Sequence, residues 1–249
     1  MDLHYETRGE GSPLVLIHSP GVDSREWQGM MPKLASRCRV ISYDLRGMGG
    51  SPSPQAPVNP VKDLHDLLEH LNLKSCSLAG HSMGGQLATE FALTYPDKVD
   101  KLILLAPSLT GFPYSEEFTG WMERINSLAP DVSRMLELSL SGPIYRVVME
   151  SPYRELLVHM HRDYLTKVFT EWKSFEVIWP EPPAMERLEA LKADTLFIHG
   201  TVEWADMNRV AEQFRRVPSV SFREIEGADH MLTLTHADRV TDHMLEHLG

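Results

Sequence analysis

The feature that most narrows the fold is a rhythm in the first hundred residues, where short unbroken apolar runs alternate with segments whose apolar residues recur three and four apart. Leu14-Val15-Leu16-Ile17 is followed by Trp27, Met30, Met31 and Leu34, and Arg39-Val40-Ile41-Ser42-Tyr43 by Leu64, Leu67, Leu68 and Leu71. A third cycle runs from Cys76 to Ala79 and on through Met83, Leu87, Phe91 and Tyr95. A run without polar alternation suits a strand covered on both faces, and the i, i+3, i+4, i+7 spacing suits a helix that does the covering. An α/β fold is therefore expected, with a mostly parallel central sheet and helices on both faces. At 249 residues, 42% hydrophobic, the chain can fill one such core and is short for two ordinary domains.

After Lys101-Leu102-Ile103-Leu104-Leu105 the rhythm stops. Helical stretches rich in Met and aromatics take over (Glu116 to Leu128, Val132 to Leu140, Arg154 to Phe169), with breaks at Pro130, Gly142-Pro143 and Ser151-Pro152. The alternation resumes with Thr195 to Ile198, a helix through Met207, Val210, Ala211 and Phe214, a strand Val220 to Ile225, and a last helix through Val240, Met244 and Leu248. The expected organisation is a core of 1–109 and 184–249 interrupted by a helical lid, or cap, at 110–183.

Lys plus Arg number 24 against 35 Asp plus Glu, and a net charge of -11 repels phosphate backbones and anionic headgroups. Nucleic acid and membranes are not expected partners. No apolar run approaches the roughly 20 residues that cross a bilayer, and Met1-Asp2-Leu3-His4 lacks a signal peptide's basic and then apolar order, so a cytoplasmic location is expected. Cys38 and Cys76, the only thiols, each open a predicted strand and belong to no C-x-x-C pair or ligand cluster. Both read as buried apolar fillers. His243 and His247, spaced i, i+4, have neither the glutamate of H-E-x-x-H nor a third ligand and read as a solvated helix face, so no metal is expected.

Gly80-His81-Ser82-Met83-Gly84 lies between a predicted strand and a predicted helix, the setting of a nucleophile elbow. Such a serine occupies a strained tight turn, so the positions two before and two after it must lack side chains. The helix starting there aims free amides and its positive end at developing negative charge. A serine hydroxyl also needs a general base. His230, in Gly227-Ala228-Asp229-His230-Met231 after the last predicted strand, is expected at the same sheet end. His81 reads as packing, and His159 and His161 as surface or lid wall. A carboxylate must hold the base in its tautomer. Glu203, just beyond the strand Thr195 to His199, is the first candidate and Asp206 the runner-up; Asp194 falls at the wrong end of that strand, and Asp229, adjacent to the base, is badly placed to curl back onto it.

These motifs resemble the α/β-hydrolase superfamily over nearly all of the chain outside the lid. His18-Ser19-Pro20-Gly21 is similar to its H-G-x-G oxyanion loop, Asp44-Leu45-Arg46-Gly47-Met48-Gly49-Gly50-Ser51 to its D-x-R-G-x-G-x-S loop, and Gly227 to His230 to its G-x-G-H, with Ser, acid and His in the family's order. The nearest in kind are small single-domain esterases, enol-lactone hydrolases, carbon-carbon bond hydrolases and cofactor-free haloperoxidases, with a helical lid after the sixth strand. The resemblance implies strand order 1-2-4-3-5-6-7-8, with the first strand missing here. It also implies that the strands of Cys38 and Cys76 flank another strand, which holds the thiols roughly 9 to 10 Å apart, too far for a disulfide. Asp44 and Arg46 are expected to tie down a turn as a pair, and His18 to anchor its loop.

The expected function is a cofactor-free serine hydrolase that cleaves a small carboxylic ester or lactone through an acyl-enzyme. Ser82 attacks, His230 moves the proton, Glu203 orients His230, and Met83 N–H with an amide near Ser19, Pro20 or Gly21 holds the oxyanion. Three residues depart from the family pattern: Glu203 where most relatives carry Asp, Ser19 in place of the first Gly, and Pro20 where a donor aligns. Proline has no N–H, and a lost donor costs ~2.7–4 kcal/mol of transition-state stabilisation. Either Ser19 or Gly21 substitutes, the alignment shifts by one, or the scaffold performs C–C cleavage, lyase or perhydrolase chemistry. A non-catalytic ligand receptor is a third reading. Trp121, Met122 and Trp179, with Met135, Met149, Met160 and Trp172, are candidate pocket walls from the lid, and Trp27 and Arg25 from the segment after the oxyanion loop. A mainly apolar pocket for a small hydrophobic or aromatic acyl compound follows.

Overall fold

The fold is taken from a computed structural model of residues 1–249. The first half carries β1 (Tyr5–Arg8), β2 (Pro13–Ile17), α1 (Met31–Ala35), β3 (Arg39–Tyr43), α2 (Pro60–His70), β4 (Cys76–His81), α3 (Met83–Thr94) and β5 (Val99–Leu105). Four helices then intervene: α4 (Glu116–Asn126), α5 (Val132–Leu140), α6 (Arg146–Met149) and α7 (Arg154–Thr170). The sheet resumes with β6 (Asp194–Gly200), α8 (Ala205–Phe214) and β7 (Val220–Ile225), and α9 (Leu232–Thr235) and α10 (Ala237–Leu248) follow.

The seven strands lie in the order β1-β3-β2-β4-β5-β6-β7. Only β1 runs antiparallel to its neighbour. This is the order implied by the family resemblance without its first strand. The unbroken apolar runs have a direct cause, because both faces of the sheet are covered. Val15, Ile17, Leu78, Leu102 and Leu104 point into a core with α2, α3 and α8, while Leu14, Leu16, Ala79, Ile103 and Leu105 point into another with α1 and α10. Each large side chain so buried contributes on the order of 1.5–3 kcal/mol. Cys38, just before β3, and Cys76, in β4, are buried free thiols, and β2 lies between β3 and β4.

One expected helix is divided. The stripe Trp27, Met30, Met31, Leu34 falls on a 3-10 turn, Ser24–Trp27, and then α1. Pro32 near the start of α1 has no N–H to return to Gln28, so an α-helix cannot run through it. The intervening helices have their own core, in which Trp121, Ile125, Met135, Leu157 and Met160 pack with Trp204, Met207 and Met231 from around the sheet's end. No helix is long and apolar enough to cross a membrane.

Candidate active site

β4 and α3 meet at Ser82, whose backbone sits at φ 53°, ψ -120°. A non-glycine residue is rare and strained there, so its surroundings must enforce the bend. They do so by close approach. A Cβ on Gly80 would stand 2.2 Å from the Gly84 carbonyl oxygen, and one on Gly84 would stand 2.1 Å from that of Ile17. Ser82 N–H donates to the Leu105 carbonyl (2.9 Å), and the Ser82 carbonyl accepts from Ser108 N–H (3.0 Å). Met83 opens α3, so its N–H has no acceptor within the helix.

The Ser82 hydroxyl lies 2.9 Å from His230 Nε2, and His230 Nδ1 lies 3.3 Å from Glu203 Oε1. The loop after β7 brings His230, and the loop after β6 brings Glu203, to the sheet end where the elbow sits. With Nδ1–H donated to Glu203, the Nε2 lone pair faces the serine proton. Glu203's side chain is wholly buried and its Oε2 has no hydrogen-bond partner, so its one hydrogen-bonded partner is the His230 imidazole. Asp206 is elsewhere: it accepts from Ser115 N–H (3.0 Å) and Oγ–H (2.6 Å) and from Arg209 (2.6 Å). Asp229 is occupied too, accepting from the amides of Val147 (2.7 Å), Val148 (3.0 Å) and Met231 (3.1 Å), which fastens α6 to the His230 loop.

Beneath these three residues lies a second acid and imidazole, in which His81, expected from the sequence only to pack, is one partner. Glu26 and His81 are both fully buried, in a close ion pair whose N–H is off the ideal hydrogen-bond line. His81 Nε2–H donates to the His230 carbonyl (2.7 Å), and Glu26 accepts from Thr233 Oγ–H (2.7 Å) and Ser19 N–H (3.3 Å). Burial pushes the Glu26 carboxyl up, but the His81 charge and the hydrogen bonds from His81 and Thr233 outweigh it and hold it below the usual range. Burial lowers His81, but the Glu26 charge and contact, the hydrogen bond to the His230 carbonyl and the Glu203 charge together outweigh it and raise the imidazole above its usual range. Glu26→Leu would remove the counter-ion of a buried imidazole and leave Thr233 Oγ–H and Ser19 N–H without their acceptor. The expected loss is about 3–5 kcal/mol of unfolding free energy in urea, out of a total that is typically about 5–15. A loss under about 1 kcal/mol would mean that these buried contacts of Glu26 contribute little to the fold.

The same network decides which oxyanion-loop amides are free. Ser19 N–H is taken by Glu26 and Pro20 has none, whereas Gly21 N–H has no acceptor in the chain. Ser19, Pro20, Gly21, Ser82, Met83 and His230 all border one cavity of about 690 Å³, most of whose lining residues are hydrophobic. Trp121, Met122, Met135 and Trp172 are on its wall. Other expected wall residues are not. Trp27 is 0% exposed in the core under the opposite sheet face, because the 3-10 turn carries it there. Trp179 packs partly buried against the other main core, and Met149 and Met160 pack among the inserted helices. Arg25 turns to Asp23 (2.8 Å) and Asp163 (3.0 Å). Asp44 and Arg46 do not pair: Asp44 accepts from Ser24 and Gly50 N–H (both 2.8 Å), and Arg46 binds Asp63 (2.9 Å) and Asp2 (3.0 Å). His18 Nε2 accepts from Leu45 N–H (2.9 Å), joining the two loops.

His161, on α7, reaches the cavity wall and pairs with Ser139 Oγ (3.2 Å). Burial pushes its pKa down to about 4. An unfolded histidine titrates near 6.5, so between about pH 6.5 and 4 the unfolded chain holds a proton that the folded chain does not. Stability therefore falls on acidification through that window, by about 3 kcal/mol from this group. Measured against His161→Gln, the wild type should lose about that much between pH 7 and pH 4; a difference independent of pH would contradict the burial argument.

The comparisons with known proteins agree with this architecture. A family model described as "Alpha/beta hydrolase family" matches residues 14–243. "Abhydrolase domain-containing protein abhd-5.2" of Caenorhabditis elegans is 27% identical over 257 residues; the match covers 91% of this chain and only 56% of that protein, so the chain spans about half of its length. The "(Lyso)-N-acylphosphatidylethanolamine lipase" of Bos taurus is 26% identical over 88% of this chain and 74% of its own. Among solved structures, the enol-lactonase from Burkholderia xenovorans LB400 superposes with a TM-score of 0.79 at 21% identity, covering 99% of this chain and 96% of that one, a likeness of fold.

Proposed function

Because the chain belongs to the alpha/beta hydrolase family, we propose that it is a serine hydrolase that cleaves carboxylic esters or lactones through an acyl-enzyme, with Ser82, His230 and Glu203 as its triad. The observation that carries this reading is Ser82 Oγ at 2.9 Å from His230 Nε2 on a bend at φ 53°. His230 takes the serine proton as Oγ attacks the carbonyl carbon, and Glu203 steadies the imidazolium that forms. Charge then builds on the carbonyl oxygen. Met83 N–H and Gly21 N–H receive it, Gly21 standing in for the residue at Pro20 that has no donor. His230 returns the proton to the leaving alcohol, and water repeats the sequence to release the acid.

The test is turnover of p-nitrophenyl butyrate without added cofactor or metal. An initial burst of about one p-nitrophenol per chain supports the acyl-enzyme. No release above the buffer rate, for the butyrate and for a panel of lactones, would sink the reading.

A further inference from the structure

We infer that the cavity is built for a linear acyl chain of about eight to ten carbons, laid along α7 with its carbonyl at Ser82; this deepens the hydrolase reading and rests on it. His161, Tyr164, Leu165, Val168, Phe169 and Trp172 all line the cavity. His161, Tyr164, Leu165, Val168 and Phe169, at i, i+3, i+4, i+7 and i+8, trace one face of α7, and Trp172 follows just beyond its last turn. The stripe has an inner and an outer end. At the inner end the His161 ring lies against the oxyanion loop, where a Cβ on Gly21 would be 2.6 Å from it. At the outer end Trp172 Nε1–H donates to the Gly47 carbonyl (3.3 Å), and the chain continues to Phe175 and Val177, both on the cavity lining and 64% and 43% exposed. Val177 bridges to Val58, which holds that outer segment in place.

The dimensions set the length. From His161 to Phe169 the helix rises ~12 Å. An extended hydrocarbon advances about 1.25 Å per carbon, given C–C bonds of about 1.5 Å at the tetrahedral angle, so the stripe matches roughly nine or ten carbons. Its chemistry points the same way. Arg46, the cation on the wall, is occupied by Asp63 and Asp2. Of the five exposed large hydrophobic residues in the chain, Met122, Phe175 and Val177 border this cavity. Clustered exposed apolar surface marks a binding site, and an acetyl group would leave nearly all of this face unfilled.

The experiment is kcat/KM for p-nitrophenyl acetate, butyrate, octanoate and decanoate, below their micelle concentrations, with wild type, Val168→Phe and Phe175→Ser. Each fully buried methylene is worth about fourfold, so six of them, even if only partly buried, should favour octanoate over acetate by at least about a hundredfold. Val168→Phe fills the channel midway and should cut that ratio at least about tenfold. Phe175→Ser, at the exposed mouth and safe for folding, should lower decanoate relative to butyrate. A kcat/KM that peaks at acetate or butyrate, or ratios unmoved by both variants, would overturn the channel while leaving the hydrolase reading intact. Binding to Ser82→Ala, followed by tryptophan fluorescence, separates the two readings in the other direction. Decan-1-ol bound at least about tenfold more tightly than butan-1-ol supports the channel even where no ester is turned over, and equal binding of the two overturns it.

Discussion

Alanine in place of Ser82 is expected to lower kcat for p-nitrophenyl butyrate by about 10⁵- to 10⁶-fold, to whatever rate the cavity and the oxyanion donors sustain alone. The loss is this large because the hydroxyl is the only atom that forms the acyl bond, and His230 Nε2, now 2.9 Å from nothing it can deprotonate, has no proton to take. The fold should not notice. The bend at Ser82 is held by Leu105, by Ser108 and by the glycine contacts, none of which involves Oγ. The melting temperature should therefore move by only a few degrees while turnover disappears. Equal rates for the two proteins would place the chemistry somewhere other than this elbow.

Glu203→Gln should cost about 10⁴-fold in kcat at neutral pH with little change in KM, because an amide cannot offset the imidazolium that forms during attack and no longer enforces the productive tautomer. Asp206→Asn should behave in the opposite way. Its carboxylate holds the Ser115 amide and hydroxyl and Arg209; asparagine keeps one acceptor oxygen but loses the charge, so the expected effect is a loss of stability of about 1.5–3 kcal/mol, with kcat within about threefold of wild type. The pair of measurements discriminates the two acids, which lie three residues apart. If Asp206→Asn silences turnover and Glu203→Gln does not, the roles assigned to them are reversed.

Much of the architecture was legible because it follows from local pattern. Runs such as Leu14 to Ile17 have no polar alternation because both sheet faces are covered, and the inserted helices announced themselves by spacing and by breaks at Pro130 and Gly142-Pro143. β1 was not legible: Tyr5-Glu6-Thr7-Arg8 is an edge strand with three exposed residues and no apolar run to mark it. Ser82 and His230, which sit in motifs, and Glu203, read from its place beyond a strand, are adjacent in space, each being set by a turn at the end of a strand. Residues assigned to the cavity by closeness in sequence fared worse. Trp27 follows the oxyanion loop by only a few positions, yet one 3-10 turn sends it to the far side of the sheet. The pairing of Glu26 with His81, fifty-five positions apart, has no local signature at all, because only the packed sheet end brings the two together. For the same reason the loss of the Ser19 amide to Glu26 was invisible in the sequence, although it leaves Gly21 as the loop's free donor.

The most direct measurement is reaction of the native protein with a fluorophosphonate, followed by peptide mass spectrometry of the adduct. A nucleophilic serine backed by His230 should be modified once per chain at Ser82, and His230→Ala should slow that labelling by orders of magnitude. Modification at another residue, or none after prolonged exposure of folded protein, would contradict a serine nucleophile at this position.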